Sequence, residues 1–112
     1  MAIQTIDDEQ LRFLIYSREY TSVKYTSPTC EICKNLAPEY DKLSKQQEYS
    51  SILFLRIDSG ENPTAKQFLA EQATPLIVVY HKGVVVKAGS VTTVEDMEAI
   101  LDELLVSVTH VK

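Results

Sequence analysis

No tryptophan occurs in these 112 residues, and cysteine occurs only twice, at Cys30 and Cys33. Glycine is confined to three positions, too few for a collagen-like repeat or a Gly-rich linker. Basic residues are in deficit: 11 Lys and Arg against 16 Asp and Glu leave a formal charge of −5. A nucleic-acid binder needs a basic field to displace counterions from phosphates, so this balance argues against nucleic acid as a partner. It disfavours an anionic membrane surface for the same reason. No apolar stretch approaches the ~20 residues needed to cross a bilayer. The opening "MAIQTIDDEQ" lacks a basic region followed by an apolar run, so it does not read as a signal peptide.

What is present fits one soluble globular domain over residues 1–112, long enough for a single core. Two cysteines without a leader point to a reducing compartment, the cytoplasm. In that setting C-x-x-C is more often catalytic or metal-binding than a structural staple.

Hydrophobic spacing predicts alternating strands and helices. "AIQTI" alternates weakly, as a short strand does. Asp7 and Gln10 then form a capping-box pattern, with Ile6 stapled to Leu11 and a buried stripe of Leu11, Leu14 and Ile15. Thr21 to Thr26 reads as a strand with Val23 and Tyr25 on one face and Ser22, Lys24 and Thr26 on the other. Cys33, Leu36, Tyr40 and Leu43 share one face of a helix that Pro38 should kink. The run "SILFLRID" suits a strand covered on both faces. Asn62-Pro63 starts another helix, with Ala65, Phe68 and Leu69 inward. Leu76–Tyr80 and Val84–Lys87 form a hairpin around Lys82-Gly83. Thr92 and Glu95 can box the start of a last helix carrying Val94, Met97, Leu101 and Leu104, with a frayed tail after Leu105. The result is an α/β fold, a mixed central β-sheet flanked by helices on both faces.

The cysteines carry the chemistry. A thiol at a helix N-terminus faces unpaired amides and the positive end of the dipole, which stabilise its reactive thiolate. Their spacing on a first helical turn brings the second sulfur within disulfide reach. Cys30 is then the exposed nucleophile and Cys33, on the apolar stripe, the covered resolving thiol. Three other readings stay open: an inert core pair, a zinc site, or an iron–sulfur cluster bridging two subunits. A zinc site needs four ligands, and His81 and His110 lie far from the pair and from each other in sequence. No metal and no cofactor is expected.

Nearly the whole chain resembles the thioredoxin family. The resemblance rests on C-x-x-C after a strand, Pro38 five residues beyond Cys33, "DSGENP", and Thr74-Pro75 before "LIVVY". It implies the thioredoxin fold and thiol–disulfide oxidoreductase activity on client proteins with disulfides or dithiols. A reductase or a small-thiol pool would recycle the pair. It also implies a cis bond at Thr74-Pro75, with Pro75 against the sulfurs and the Thr74 backbone pairing with an extended client. Pro28, Thr29, Ile32 and Gly89 would complete that client surface. The departures are chemical. Thioredoxins read Trp-Cys-Gly-Pro-Cys, whereas this chain reads Thr29-Cys30-Glu31-Ile32-Cys33. Glu31 places a negative charge between the thiols and should tune them. Where the family often buries an acid, six residues before the first cysteine, this chain has Lys24, a candidate proton acceptor for Cys33 or else a solvent-reaching lysine. The lost tryptophan and the unusual dipeptide keep an alternative in view, a redox-inactive binding module on the same fold.

Overall fold

The structure, a computed structural model, describes residues 3–27, 30–60 and 75–110. In chain order it holds β1 (Ile3–Ile6), α1 (Asp8–Ser17), β2 (Tyr20–Thr26), α2 (Glu31–Ser44), a 3₁₀ turn (Gln47–Tyr49), β3 (Ile52–Asp58), β4 (Leu76–His81), β5 (Val84–Ser90) and α3 (Val94–His110). The helix expected after Asn62-Pro63 lies outside the described residues.

The sheet order is β1-β3-β2-β4-β5. β1 and β2 both run parallel to β3, whereas β4 is antiparallel to β2 and β5 to β4. The helical crossovers enforce the parallel pairs, and the two-residue turn enforces the antiparallel hairpin. At that turn Lys82 (φ 53°) and Gly83 (φ 85°) both take positive φ, which suits the twist of the flanking strands. An added Cβ at Gly83 would also meet the ring of Tyr16, an exposed side chain that can turn aside. A register shift between Val79 and Tyr80 bulges the edge strand β5.

Side-chain alternation along β2 divides the core. Val23 and Tyr25 pack with Leu55, Ile57, Leu76 and Val78 against Leu11, Leu14 and Ile15 of α1. The opposite face packs Phe54, Ile77 and Val79 against α2 and α3. In α2 the buried residues are Cys33, Leu36, Tyr40 and Leu43, the stripe that the spacing predicts. Pro38 lies inside α2 without ending it.

Helix starts follow from local hydrogen bonding. The Asp7–Gln10 capping box is present in both directions. At α3 the box falls one residue later than the Thr92–Glu95 expectation. Thr93 Oγ1 accepts from the Asp96 amide at 3.1 Å, and the Asp96 carboxylate accepts from the Thr92 amide at 2.9 Å, from the Thr92 hydroxyl and from the Thr93 amide. These donors, the Thr92 amide foremost, pull the Asp96 pKa down. The tail expected to fray continues as helix to His110, since residues 106–110 contain neither Gly nor Pro to stop it.

Candidate active site

Both parallel strands deliver polar residues to one end of the sheet. Beyond Thr26 the chain leaves β2 and reaches Cys30, the N-cap of α2. Cys30 holds a β-region backbone (φ −86°, ψ 105°), so its Sγ turns back over the first turn and accepts a hydrogen bond from the Cys33 amide at 3.0 Å. Cys30 and Cys33 are joined as a disulfide, with Cα atoms 5.2 Å apart. Once the bond is reduced, the same amide faces a sulfur able to carry negative charge, the arrangement that lowers a thiol pKa.

Exposure does not distinguish the two sulfurs as expected. Cys30 is 8% exposed and Cys33 6% in the disulfide. Capping places the Cys30 sulfur over the first turn, so in this oxidised state it is covered almost as well as its partner. Glu31 and Ile32, between them, point outward. Glu31 forms an exposed ion pair with Lys34 at 3.8 Å, and Ile32 is 38% exposed. Solvent and Lys34 screen the Glu31 charge, which weakens its hold on the thiols.

Lys24 is 1% exposed and does not snorkel to solvent. Its Nζ stands 4.9 Å from the centroid of the Tyr40 ring. Burial first, and Arg56 second, push its pKa down from 10.5 to about 8. Tyr40 is fully buried, and its hydroxyl donates to Leu55 O at 3.0 Å, contacts Ser22 O at 3.2 Å and lies 2.9 Å from Ser22 Oγ. That network fixes the ring on which Lys24 rests and joins α2 to β2 and β3.

Sequence reading missed Arg56. It lies in an apolar run and meets Lys24 only through the β2–β3 register, in which the two are paired. Its guanidinium donates to Thr5 Oγ1 of β1 at 2.9 Å. Lys24, Thr26, Cys30, Cys33, Arg56 and Asp58 line one cleft of about 780 Å³, with Lys34 at its wall. The disulfide and the buried lysine therefore line one open cleft.

The remaining expected site residues are only partly described. Pro28, Thr29 and Thr74, and with Thr74 the bond to Pro75, lie outside the described residues. Pro75 is buried at the start of β4, where the Tyr25–Leu76 register brings it to the Thr26 end of β2, and its carbonyl accepts from the Val91 amide. Gly89 pairs with Ile77, and an added Cβ there would come 3.3 Å from Ile100 Cδ1, so its bareness serves helix packing. His81 lies at the far end of the sheet, 3.3 Å from Glu19 and stacked near Tyr20. Among the described residues, no three His, Cys, Asp or Glu side chains gather as a metal cage, and no helix is long and apolar enough to cross a membrane.

Comparison with known proteins agrees with this geometry. The chain is 31% identical over 71 residues to protein disulfide-isomerase 1 of Caenorhabditis elegans, covering 62% of this chain and 15% of that protein. It is 29% identical over 82 residues to a putative protein disulfide-isomerase of Schizosaccharomyces pombe, covering 72% and 17%. The match thus spans about a sixth of those relatives' length. Among solved structures, the thioredoxin of Malassezia sympodialis superposes with a TM-score of 0.82 at 17% identity, over 92% of this chain and 90% of that one. Spinach chloroplast thioredoxin f (short form) gives 0.81 at 19%, over 93% and 94%. Residues 3–105 match the Thioredoxin family itself, and with the sheet order and the C-x-x-C disulfide already in place, the chain belongs to that family.

Proposed function

We propose that this chain is a thiol–disulfide oxidoreductase that exchanges the Cys30–Cys33 bond with disulfides or dithiols of client proteins. The observation that carries the reading is the disulfide at the α2 N-cap, with the Cys33 amide donating to Cys30 Sγ. In the reducing direction, the Cys30 thiolate attacks one client sulfur and the client S–S bond breaks. A mixed disulfide forms, and the departing client sulfur takes a proton. Cys33 then loses its proton and attacks Cys30, which leaves the Cys30–Cys33 bridge and a client dithiol. The reverse sequence oxidises a client. The N-cap position, rather than exposure, supports Cys30 as the nucleophile and Cys33 as the resolving thiol.

Lys24 supports proton handling at Cys33, because both line one cleft and an amine with a pKa near 8 exchanges its proton close to neutrality. Glu31 is a weaker, exposed modulator. In the client surface we include Pro28, Thr29, Thr74, Pro75 and Gly89, with the exposed Ile32 as the apolar contact in place of the missing tryptophan. The family's relatives support disulfide-bearing clients. Recycling by a reductase protein or a small-thiol pool belongs to the same reading. So does a cytoplasmic setting, supported by the lack of any cysteine beyond the redox pair.

Turnover of a disulfide-bonded protein substrate with dithiothreitol as electron source tests this. Activity should vanish in Cys30→Ser. In Cys33→Ser, a mixed disulfide with the substrate should accumulate. Wild-type turnover no higher than Cys30→Ser would overturn the reading in favour of a redox-inactive binding module.

A further inference from the structure

We propose that the cleft beside the disulfide binds a compact oxyanion, a carboxylate or a phosphate, between Lys24 and Arg56. The inference rests on the oxidoreductase reading only where it names a substrate class.

Lys24 is the anomaly. The residue is 1% exposed, its ammonium meets the cleft, and among the described residues no acceptor or carboxylate pairs with it. Its neighbours are the Tyr40 ring face and Arg56, a second cation. Burial of the Lys24 stem leaves its ammonium the cleft as its one outlet, and a like charge beside it raises the cost of keeping it charged there. Arg56 is paired with Lys24 across β2 and β3, so both side chains leave the same face of the sheet. Among the described residues, Thr5 Oγ1 is the one acceptor of its guanidinium. The remaining N–H groups form a planar fork suited to a carboxylate or phosphate.

The acids near the cleft do not supply this partner. Asp7 accepts from Gln10 N as the α1 cap, and Asp58 accepts from Gly60 N at 2.6 Å. Their presence limits the charge the cleft will accept and favours a small anion over a polyanion. At about 780 Å³ the cleft is far larger than one oxyanion, and within the roughly 300–1,000 Å³ of small-molecule sites. There is room for a molecule that carries the anion.

Cys30 and Cys33 form part of the same wall. A small thiol bearing a carboxylate is therefore the substrate class that fits best. Its thiolate displaces one cysteine sulfur, giving a mixed disulfide and a freed cysteine thiolate that takes a proton. A second thiol molecule attacks the mixed disulfide and leaves as the small-molecule disulfide, and the protein becomes a dithiol. Two small thiols are oxidised for each protein disulfide reduced.

Two measurements on the oxidised full chain test this. Inorganic phosphate, titrated at constant ionic strength, should move the amide resonances of Thr5, Lys24, Thr26 and Arg56 to saturation. Those shifts should disappear in Lys24→Met and in Arg56→Met but persist in Lys87→Met, a surface control. Absent saturation, or equal saturation in Lys24→Met, overturns the site. In the second arm, reduction rates with 3-mercaptopropionate and 2-mercaptoethanol are compared at equal thiolate concentration. The carboxylate thiol should gain about tenfold in the wild type relative to Lys24→Met, the effect of roughly one charge-assisted hydrogen bond. Phosphate saturation without that gain assigns the site to a free anion and rejects the acidic-thiol substrate. Phosphate saturation with no reduction by either thiol retains the site and rejects the oxidoreductase reading.

Discussion

Replacing Lys24 by Met should stabilise the oxidised protein, by an amount that depends on pH. Met keeps most of the buried stem and removes the charge. The folded chain holds the Lys24 pKa near 8, against 10.5 ordinarily, because burial and Arg56 disfavour its ammonium. The unfolded chain therefore binds more protons between about pH 8 and 10.5, and wild-type stability rises with pH across that window. Below about pH 8 the whole penalty is present, and the gap between the two pKa values corresponds to about 3 kcal/mol. Contact with the Tyr40 ring offsets about 1 kcal/mol of this. Lys24→Met should thus gain about 2 kcal/mol near neutrality, shrinking towards zero as the wild-type amine deprotonates. Urea unfolding of both oxidised proteins at several pH values measures the difference. With the disulfide intact, neither thiol titrates. Tyr25, Tyr40, Tyr49 and Tyr80 have pKa values raised by burial and lower stability at the alkaline end, but they do so in both proteins and cancel. A difference that stays flat with pH, or a variant less stable than wild type near neutrality, would refute the reasoning, because the ammonium would then be well satisfied where it lies.

Tyr40→Phe should cost about 1–3 kcal/mol by urea unfolding, since it leaves the buried Ser22 hydroxyl without its Tyr40 partner and removes the bond to the Leu55 carbonyl; a loss under 0.5 kcal/mol would show that the network adds nothing. Gly83→Ala should lower stability by about 1 kcal/mol in urea unfolding through its φ of 85°, and pairing it with Tyr16→Ala should recover little of that, because the exposed Tyr16 ring can turn aside; full recovery in the pair would show that the ring and not the backbone sets the cost. The Lys24 ammonium favours the thiolate formed on reduction, so the Cys30/Cys33 midpoint potential in Lys24→Met should fall, by about 20 mV for each 1 kcal/mol of lost stabilisation. Equilibration with a thiol redox buffer reads it, and an unchanged or higher potential counts against that coupling.

The fold was legible wherever local chemistry decided it. Period-two and period-3.6 spacing located the β2 faces and the four buried residues of α2, and side-chain capping located the start of α1. Errors arose where two local solutions compete. Thr92 and Thr93 can each cap α3, and the shorter Asp96 side chain wins by gathering three donors that Glu95 does not reach. The tail beyond Leu105 shows the limit of reading a frayed end from nearness to the terminus alone, since the helix runs on to His110.

The site was legible as a motif and illegible as an electrostatic object. Alternation along β2 put Lys24 on the α2 face, but only the parallel register with β3 brings Arg56 beside it, and register is a long-range outcome that no local pattern carries. The same distinction qualifies what net charge excludes. A formal charge of −5 bears on polyanions, whose binding sums over a whole surface. Salt screens that surface beyond a Debye length of ~10 Å, while charges lining a cleft are screened far less. A chain acidic overall can therefore hold a recess with a small excess of cations, and here Lys24, Arg56 and Lys34 line the recess that contains the disulfide, against Asp7 and Asp58. Exclusion of nucleic acid by composition and attraction of one compact anion by geometry are compatible, because the first is set by the far field and the second by two strands in register.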